Sequence, residues 1–510
     1  MVHVWGASLA GCQAHLVRVE ARFEAHEKGR TEIHITGLPD PILRESRMRL
    51  VAALRANRMA LGSGELHLHL LPAALPKVGE GLDLPLLIAA AACRGHLRCK
   101  RLDRILFVGE VGIDGSLHGV RGGLAAAEAA RAAGLVEMLA PGASAEEAAC
   151  LPDLQVYAAE HVSQVLAHLT RVPSPLPRCH PPPEDGLAPG GPSLAEVRGQ
   201  ELAKFALTVC AAGGHRLLLV GPPGTGKSML AARLPGLLPP PTLEERLEMT
   251  RILSACRRWP GRLVARRPFR APHHSASLAG MVGGGPQLHP GELSLAHGGV
   301  LFLDELPEFR REVLESLRGP LEGGLVTLSR AGQQVTLPAR VHLVAAMNPC
   351  PCGFHGHPGG RCRCGPGAIR RYLGRISGPL LDRFDVRIDV QASEVDELLA
   401  SGPKIRAPEP DWPARVLAAR SFRQARGQMV DNASLSTAQL HEVARPVGEA
   451  RQLLGTLHQH AALSSRSLQS LRRVARTLAD LDGSETLAAD HVARAISLRS
   501  SAILDPLPGA

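Results

Sequence analysis

A glycine-rich loop in the middle of the chain has the composition of a phosphate-binding site. The octapeptide GPPGTGKS follows the apolar run HRLLLV and precedes the helical stretch SMLAARL. Glycines let backbone amides turn toward phosphate oxygens, and the N-terminus of the next helix adds positive potential. Lys227 is placed to reach the β- and γ-phosphates, and the Ser228 hydroxyl to ligate Mg²⁺. The predicted ATP-binding residues are Gly221, Pro222, Pro223, Gly224, Thr225, Gly226, Lys227 and Ser228.

Two carboxylates end the apolar run GGVLFLDE, 77 residues after Lys227. Asp304 is predicted to complete the magnesium shell and Glu305 to polarise the attacking water. Many buried strands end in acidic residues, so the pair alone is a weak signal. Its position after the glycine-rich loop makes it the expected partner of that loop, and the two segments together predict an ATP hydrolase.

Four cysteines with the spacing C-x-C-x9-C-x-C follow in a glycine-rich stretch: Cys350, Cys352, Cys362 and Cys364. Four thiolates at this spacing predict a tetrahedral Zn²⁺ site, although C-x-C is less usual than C-x-x-C. Four reduced thiols without metal are the alternative. The earlier pair His273 and His274 fits loop packing or a DNA contact better than a metal site.

A basic stretch from Arg251 to His274 holds seven arginines and no carboxylate, with Trp259 and Phe269 between them. Arginine forks bind phosphates and aromatic rings stack on bases, so the stretch is predicted to contact DNA. A solvated surface or a subunit interface is the alternative. The candidate DNA contacts are Arg257, Arg258, Arg266, Arg267 and Arg270.

The elements that must hold these groups fall into three segments of a 510-residue chain. Residues 1–171 mix strands and helices. Residues 172–192 carry eight prolines and form a linker, since proline removes amide donors. Residues 193–400 alternate apolar strands with helical stretches, which is typical of an α/β sheet. Residues 401–510 begin with a second proline-containing break and then show helical periodicity.

Composition limits the partners and the compartment. The formal charge is +10, with arginine dominating, which fits a polyanionic partner without requiring one. The first residues lack a basic and then apolar signal pattern, and the longest apolar run is too short for a bilayer. With eleven cysteines in such a chain, we expect reduced thiols, a cytoplasmic location and no membrane partner.

Several further segments resemble one known family. VHLVAAMNPC resembles the sensor-1 strand of AAA+ ATPases, with Asn348 orienting the water. GPLLDRFD and SSRSLQSLRRVARTLADL resemble the arginine-finger and sensor-2 segments of magnesium chelatase and MCM-helicase ATPases, with Arg383 and Arg466 as the active residues. RPFRAPHHSASLAGMVGGG and FVGEVGIDGSLHGVRGG resemble the ComM/YifB family of magnesium-chelatase-like proteins, and the likeness covers nearly the whole chain.

The resemblance implies a fold and an activity. The fold is α/β: an AAA+ P-loop ATPase core at 193–400, with an N-terminal Lon-protease-like α+β domain at 1–171 and a C-terminal helical lid at 401–510. The activity is that of an ATP-driven hexameric DNA helicase that promotes branch migration during natural transformation. Arg383 then reaches the neighbouring subunit's site, so the implied partners are a homo-hexameric ring, single-stranded or branched DNA, and recombination proteins.

The segment LVTLSRAGQQVTLPARV reads as two short strands around a turn, just before the sensor-1 strand. It resembles the pre-sensor hairpin that MCM helicases insert into their pore. The resemblance makes Arg330 a DNA contact that follows the nucleotide state.

The Lon-like domain lacks the residues of a peptidase. Gly81 stands where such enzymes carry the nucleophilic serine, and Ala125 stands where they carry the lysine base. Neither side chain can take part in acyl transfer. Lys77 and Glu80 remain nearby, but the domain is predicted to be a binding or assembly module.

Three functions remain open from the sequence. A DNA translocase is favoured by Arg330, by the basic stretch and by the family. A protein-remodelling AAA+ ATPase is suggested by the Lon-like domain. The ATPase subunit of a metal chelatase shares the core but normally lacks that domain.

Overall fold

The structure, a computed structural model, describes residues 2–28, 31–37, 40–73, 77, 81–170, 176–183, 191–285, 288–330, 333–356, 359–391, 411–460, 464–501 and 504. Glu80, parts of the predicted linker and most of the break after Ser401 lie outside these residues. Among the described residues, no helix is both long and apolar enough to cross a bilayer.

The N-terminal domain is built on a mixed seven-stranded sheet with the order β3-β4-β2-β1-β5-β8-β9. The alternating run ELHLHL forms a strand as predicted, with its leucines buried and its histidines exposed. The strands are β1 (Val2–Ala10), β2 (Gln13–Ala25), β3 (Thr31–Thr36), β4 (Gly64–Leu71), β5 (Ile105–Phe107), β6 (Glu110–Val111), β7 (Leu117–His118), β8 (Glu137–Ala140) and β9 (Gln155–Ala158). The helices are α1 (Asp40–Ala56), α2 (Asp83–Cys93), α3 (Gly123–Ala132), α4 (Gly142–Ala148) and α5 (Val162–Thr170).

The middle domain has a five-stranded sheet with the order β11-β14-β17-β10-β18, and all its pairings are parallel. Apolar side chains bury both faces of β10, which explains the continuous run LLLV. The strands of this domain are β10 (Leu217–Val220), β11 (Phe269–Arg270), β12 (Gly283–Gly284), β13 (His289–Pro290), β14 (Val300–Leu303), β15 (Leu325–Arg330), β16 (Gln333–Pro338), β17 (His342–Met347) and β18 (Val386–Asp389).

Helices cover both faces of this sheet. They are α6 (Glu201–Gly213), α7 (Lys227–Ala231), α8 (Leu234–Leu237), α9 (Leu243–Ala255), α10 (Leu278–Val282), α11 (Glu292–Leu295), α12 (Arg311–Ser316), α13 (Arg318–Gly323), α14 (Pro366–Leu373) and α15 (Gly378–Leu381). Because the strands are parallel, the carboxyl ends of β14, β17 and β10 lie side by side at one edge, where ligands bind in such sheets.

The last segment is helical, as predicted. Its helices are α16 (Trp412–Ala425), α17 (Thr437–Val443), α18 (Glu449–His460), α19 (Ser465–Leu481) and α20 (Ala489–Ser497). The buried side chains Leu471, Val474 and Leu478 of α19 join the same apolar cluster as α6 and β10. The lid therefore shares a core with the middle domain. The predicted fold class, an α/β core with an N-terminal α+β domain and a C-terminal helical lid, is confirmed, while the exact domain boundaries stay a prediction.

The N-terminal domain docks on the middle domain through two elements. The turn between β1 and β2 brings Gly11 against Val335 of β16 and leaves Cys12 fully buried. The start of α3 meets α9, where the Gly122 amide donates to the Ser254 hydroxyl at 3.1 Å. The first contact connects the predicted assembly module directly to the β15–β16 hairpin, and the second connects it to α9.

Candidate active site

The phosphate loop joins the end of β10 to the start of α7. Gly224 and Gly226 have φ angles of +78° and +83°, a region that glycine adopts without strain. A Cβ at Gly221 would collide with the carbonyl oxygen of Val390. The glycines of the octapeptide are therefore required by the backbone path of the loop.

The ammonium group of Lys227 lies inside this loop. It donates to the carbonyl oxygens of Gly221 and Pro222, each at 2.7 Å, and approaches Asn348 Oδ1 at 3.4 Å. Burial lowers the pKa of Lys227, and nearby Asp304 opposes the shift. A buried cation surrounded only by oxygen acceptors fits the β- and γ-phosphates of a nucleotide.

The Ser228 hydroxyl donates to Asp304 Oδ2 at 2.7 Å, which joins the start of α7 to the end of β14. One alcohol oxygen and one carboxylate oxygen are the protein ligands that magnesium takes when substrate phosphates and water complete its shell. The residues present therefore fit magnesium with ATP, as predicted from their spacing.

Glu305 has a left-handed backbone with φ of 53°, and its side chain is half exposed. Its carboxylate meets His274 Nδ1 at 3.2 Å. The His274 ring lies 4.1 Å from the ring centre of His273 and edge-on to Phe309. This contact was not predicted from the sequence; the signal for it was the position of the histidine pair just after β11, the neighbour of β14.

Asn348 follows β17, the strand between β14 and β10. Its side chain consequently lies between the Asp304–Glu305 pair and the phosphate loop, with its Oδ1 3.4 Å from Lys227 Nζ. That Asn348 orients the attacking water stays a prediction.

Arg383 and Arg466 lie together around another acid, Glu322. The carboxylate is 2.9 Å from Arg383 Nη2 and 2.5 Å from Arg466 Nη2. The hydrogen bond from Arg466 and the charge of Arg383 hold the pKa of Glu322 below its usual value. Burial lowers the pKa of Arg383, and the charges of Arg466, Arg318 and Arg216 act in the same direction. These four arginines with Glu322 are called the arginine cluster below.

Asp385 joins the arginine cluster to the lid. This buried carboxylate accepts from the Arg216 amide at 3.2 Å and from the Ser470 hydroxyl at 2.5 Å. Burial acts to raise its pKa, but His215, Arg216 and Ser470 hold the pKa well below the usual range. Ser470 is one turn after Arg466 on α19, so Asp385 connects the segment that carries Arg383 to the helix that carries Arg466.

The predicted catalytic residues thus form two groups. Lys227, Ser228, Asp304 and Asn348 converge on the phosphate loop, with Glu305 beside them. In the described part of the chain, the ion pairs of Arg383 and Arg466 are with Glu322, and none is with the phosphate loop.

The DNA-contact candidates differ in their surroundings. Arg330 is exposed at the end of β15, where its backbone pairs with Gln333 of β16. Arg267 forms two bonds to Glu245, at 3.0 and 2.9 Å, and Arg270 forms two to Glu292, at 2.7 and 2.6 Å. The local lack of carboxylates did not reveal these partners, which lie 22 residues away in sequence. The exposed arginines of the stretch are Arg257, Arg258, Arg262 and Arg266.

The peptidase-like position of the N-terminal domain is apolar. Gly81 lines a cavity of about 30 Å³ together with Ala7, Val108 and Val120. Ala125 is buried on α3. Lys77 donates to the carbonyl oxygen of Pro72 at 2.6 Å, and burial lowers its pKa. These described residues provide no serine–lysine pair.

Comparison with known proteins agrees with this architecture. The magnesium chelatase, subunit ChlI family matches residues 193–398, its C-terminal family matches 410–499, and a subunit ChlI domain family matches 19–144. The chain is 40% identical over 501 residues to the uncharacterized protein YifB of Escherichia coli K12, covering 96% of this chain and 95% of that protein.

Two further relatives carry functional names. The chain is 36% identical over 506 residues to competence protein ComM of Haemophilus influenzae, covering 98% of this chain and 97% of ComM. It is 26% identical over 193 residues to the probable DNA helicase MCM9 of Oryza sativa subsp. indica, covering 37% of this chain and 24% of that protein.

Proposed function

This chain belongs to the ComM/YifB family of magnesium-chelatase-like AAA+ proteins, and we propose on that premise that it is an ATP-driven, ring-forming DNA motor. The observation that carries the proposal is the path of the β15–β16 hairpin. Arg330 is exposed at the end of its first strand, and its second strand leads into β17, which is followed by Asn348 in the nucleotide site. A change at the nucleotide therefore has a direct mechanical route to a DNA-contacting residue.

ATP hydrolysis is assigned to the residues at the phosphate loop. The loop amides and Lys227 hold the phosphates, while Ser228 and Asp304 hold the metal. Bound magnesium supplies positive charge that offsets the charge of the phosphate oxygens. Glu305 accepts the proton of the attacking water, and Asn348 orients that water. His274 holds the Glu305 carboxylate before the water is in place.

The arginine cluster is assigned to the neighbouring subunit's site. Glu322 pairs with both Arg383 and Arg466, and Asp385 bonds to Ser470 on the same helix as Arg466. The lid and the arginine-finger segment of one subunit are therefore held together. The phosphates of ATP bound to the neighbouring subunit compete with Glu322 for these two guanidinium groups. An Arg383 that acts in the neighbouring site fits a closed ring, and the family implies six subunits.

DNA binding is assigned to Arg330 and to the exposed arginines of the basic stretch, Arg257, Arg258 and Arg266. Arg267 and Arg270 support the surface through their carboxylate partners. The competence name of the ComM relative and the helicase name of the MCM9 relative support a DNA motor that acts in competence. The proposal that this motor promotes branch migration during natural transformation and recombination follows from the family resemblance. Contacts to phosphates predict DNA affinity that falls with salt, each neutralised phosphate adding about 0.7 to 0.9 to the log–log slope.

The test is strand displacement on forked and four-way DNA. Wild-type protein should move both substrates with ATP. Arg330→Ala should keep its basal ATPase but lose DNA stimulation and displacement. Arg22→Ala is the matched control, because it removes the same charge from an exposed side chain of β2. Wild-type protein that neither binds DNA at low salt nor moves a fork would contradict the proposal and favour the protein-remodelling function. ATPase stimulated only by a porphyrin-inserting complex would favour the chelatase function.

A further inference from the structure

The four cysteines of the sensor-1 loop converge at one point. Their sulfur atoms all lie within 4.8 Å of one another. Cys350 Sγ is 3.3 Å from Cys352 Sγ and 3.7 Å from Cys362 Sγ, and the last two are also 3.7 Å apart. Four sulfurs bound to zinc at about 2.3 Å in a tetrahedron would be about 3.8 Å apart. The spacing therefore matches a tetrahedral centre and is far longer than a disulfide bond of about 2.05 Å.

The surroundings of the sulfurs suit bound thiolates. Backbone N–H groups of Phe354 and Arg363 donate to Cys352 Sγ, and the Cys364 amide donates to Cys362 Sγ. Such donors orient thiolate ligands and offset their charge. The exposed side chains of Arg361 and Arg363 alternate with the cysteines and supply further positive charge.

The cysteine loop lies against the nucleotide site. Cys350 is two residues after Asn348, and the loop turns at once, with the Gly353 amide donating to the Cys350 carbonyl at 2.9 Å. A Cβ placed on Gly353 would lie 2.6 Å from Pro223 Cδ in the phosphate loop. The turn therefore touches the phosphate loop on one side and continues the sensor-1 strand on the other.

We propose that Cys350, Cys352, Cys362 and Cys364 bind one structural zinc ion that clamps the sensor-1 loop against the phosphate loop. All four tetrahedral positions are taken by thiolates, so the centre is closed and has no place for a substrate. The metal joins the two arms of the loop, 350–352 and 362–364. It thereby limits the conformational freedom of Asn348, which precedes the first arm, and of Pro223, which contacts the loop at Gly353. Metal binding stands on the sulfur geometry alone, whereas its effect on ATP turnover also rests on the proposed function.

The direct test is metal analysis of the full chain purified without added metal. We expect about one zinc per chain and no visible absorption from iron. Cobalt substitution should give the intense visible absorption of a tetrahedral thiolate site. The variant Cys362→Ser with Cys364→Ser should lose the zinc, and Cys93→Ser with Cys99→Ser is the control, because these two cysteines are also partly buried and lie outside the loop.

A variant that fails to fold does not end the test, because the wild-type chain can be titrated with a mercurial reagent in the presence of a colorimetric chelator. Zinc release in step with modification of four thiols supports the site. The released protein should keep its helical content and lose ATP turnover. Protein that is isolated free of zinc, takes up no cobalt and hydrolyses ATP normally overturns the proposal. Protein that binds zinc but hydrolyses no ATP, either with zinc bound or after its release, supports the metal site and contradicts the proposed function instead.

Discussion

The N-terminal and middle sheets each deliver a glycine-containing loop to the start of a helix, and the two loops have opposite surroundings. Gly81 precedes α2 beside a cavity of about 30 Å³ that is lined by aliphatic residues and Arg121. The phosphate loop precedes α7 around a buried ammonium group, with a hydroxyl–carboxylate pair next to it. A loop of this kind does chemistry only where polar side chains converge on it. Where no such side chains converge, as at Gly81, the loop contributes only to packing.

The N-terminal domain shows what such packing provides. The start of α3, near Ala125, bonds to Ser254 of α9, and Glu128 of α3 pairs with Arg251 at 2.7 Å. The β1–β2 turn contacts the β16 strand of the hairpin that carries Arg330. The N-terminal domain is thus placed to support the hairpin to which the DNA contact is assigned.

The largest effect is expected from Lys227→Ala, in the phosphate loop of the middle domain. The variant removes the cation that the loop buries, so ATP binding and hydrolysis should both be lost. Binding of a fluorescent ATP analogue and phosphate release are the measurements. Lys100→Ala, an exposed lysine of the N-terminal domain, should leave both unchanged. Normal nucleotide affinity in Lys227→Ala would place the site elsewhere.

Glu305→Gln should retain ATP binding and slow hydrolysis by about 10²- to 10⁴-fold, the usual contribution of a general base. The amide keeps the shape of the side chain but cannot accept a proton from water. Single-turnover hydrolysis with bound ATP separates the two effects. Turnover equal to wild type would remove the role assigned to this carboxylate.

Gly11→Ala should weaken the contact between the two domains. Its φ of +61° is unfavourable for alanine, and the new Cβ would collide with Val335. The expected loss is about 1–3 kcal/mol of unfolding free energy, typical of overpacking. Thermal unfolding measures this loss, with Gly134→Ala as control: that glycine has a similar φ of +76° but no neighbour within 4 Å. Equal destabilisation of both variants would show that backbone strain alone matters.

The smallest effect is expected from Gly81→Ser, in the glycine-containing loop of the N-terminal domain. The nearest atom to a Cβ at this position is 3.4 Å away, an ordinary van der Waals contact, so the Cβ of the new side chain fits. Without a lysine at position 125, the serine has no base to activate it. Casein and peptide cleavage should stay absent in wild type and variant, with or without ATP, and cleavage by purified Gly81→Ser would overturn the interpretation of the domain as inert.

The parts of the site that are contiguous in sequence were predictable, and the parts that depend on register were not. GPPGTGKS and the Asp304–Glu305 pair carry their chemistry in a few adjacent residues. The His274–Glu305 contact depends on β11 lying beside β14, which periodicity does not reveal. The shared acid Glu322 is 61 residues before Arg383 and 144 before Arg466, so only the folded chain brings the three together.

The central claim is that each ATP is hydrolysed at a boundary between two subunits, and subunit mixing tests it most directly. Arg383→Ala alone should bind ATP but hydrolyse it about 10³- to 10⁵-fold more slowly, the range seen for arginine fingers. Mixed with Lys227→Ala at equal amounts, about a quarter of the boundaries in a random ring pair an intact phosphate loop with an intact Arg383. ATP turnover of the mixture should therefore rise well above that of either variant. A mixture that stays inactive, although differently tagged chains co-purify, would contradict the shared site.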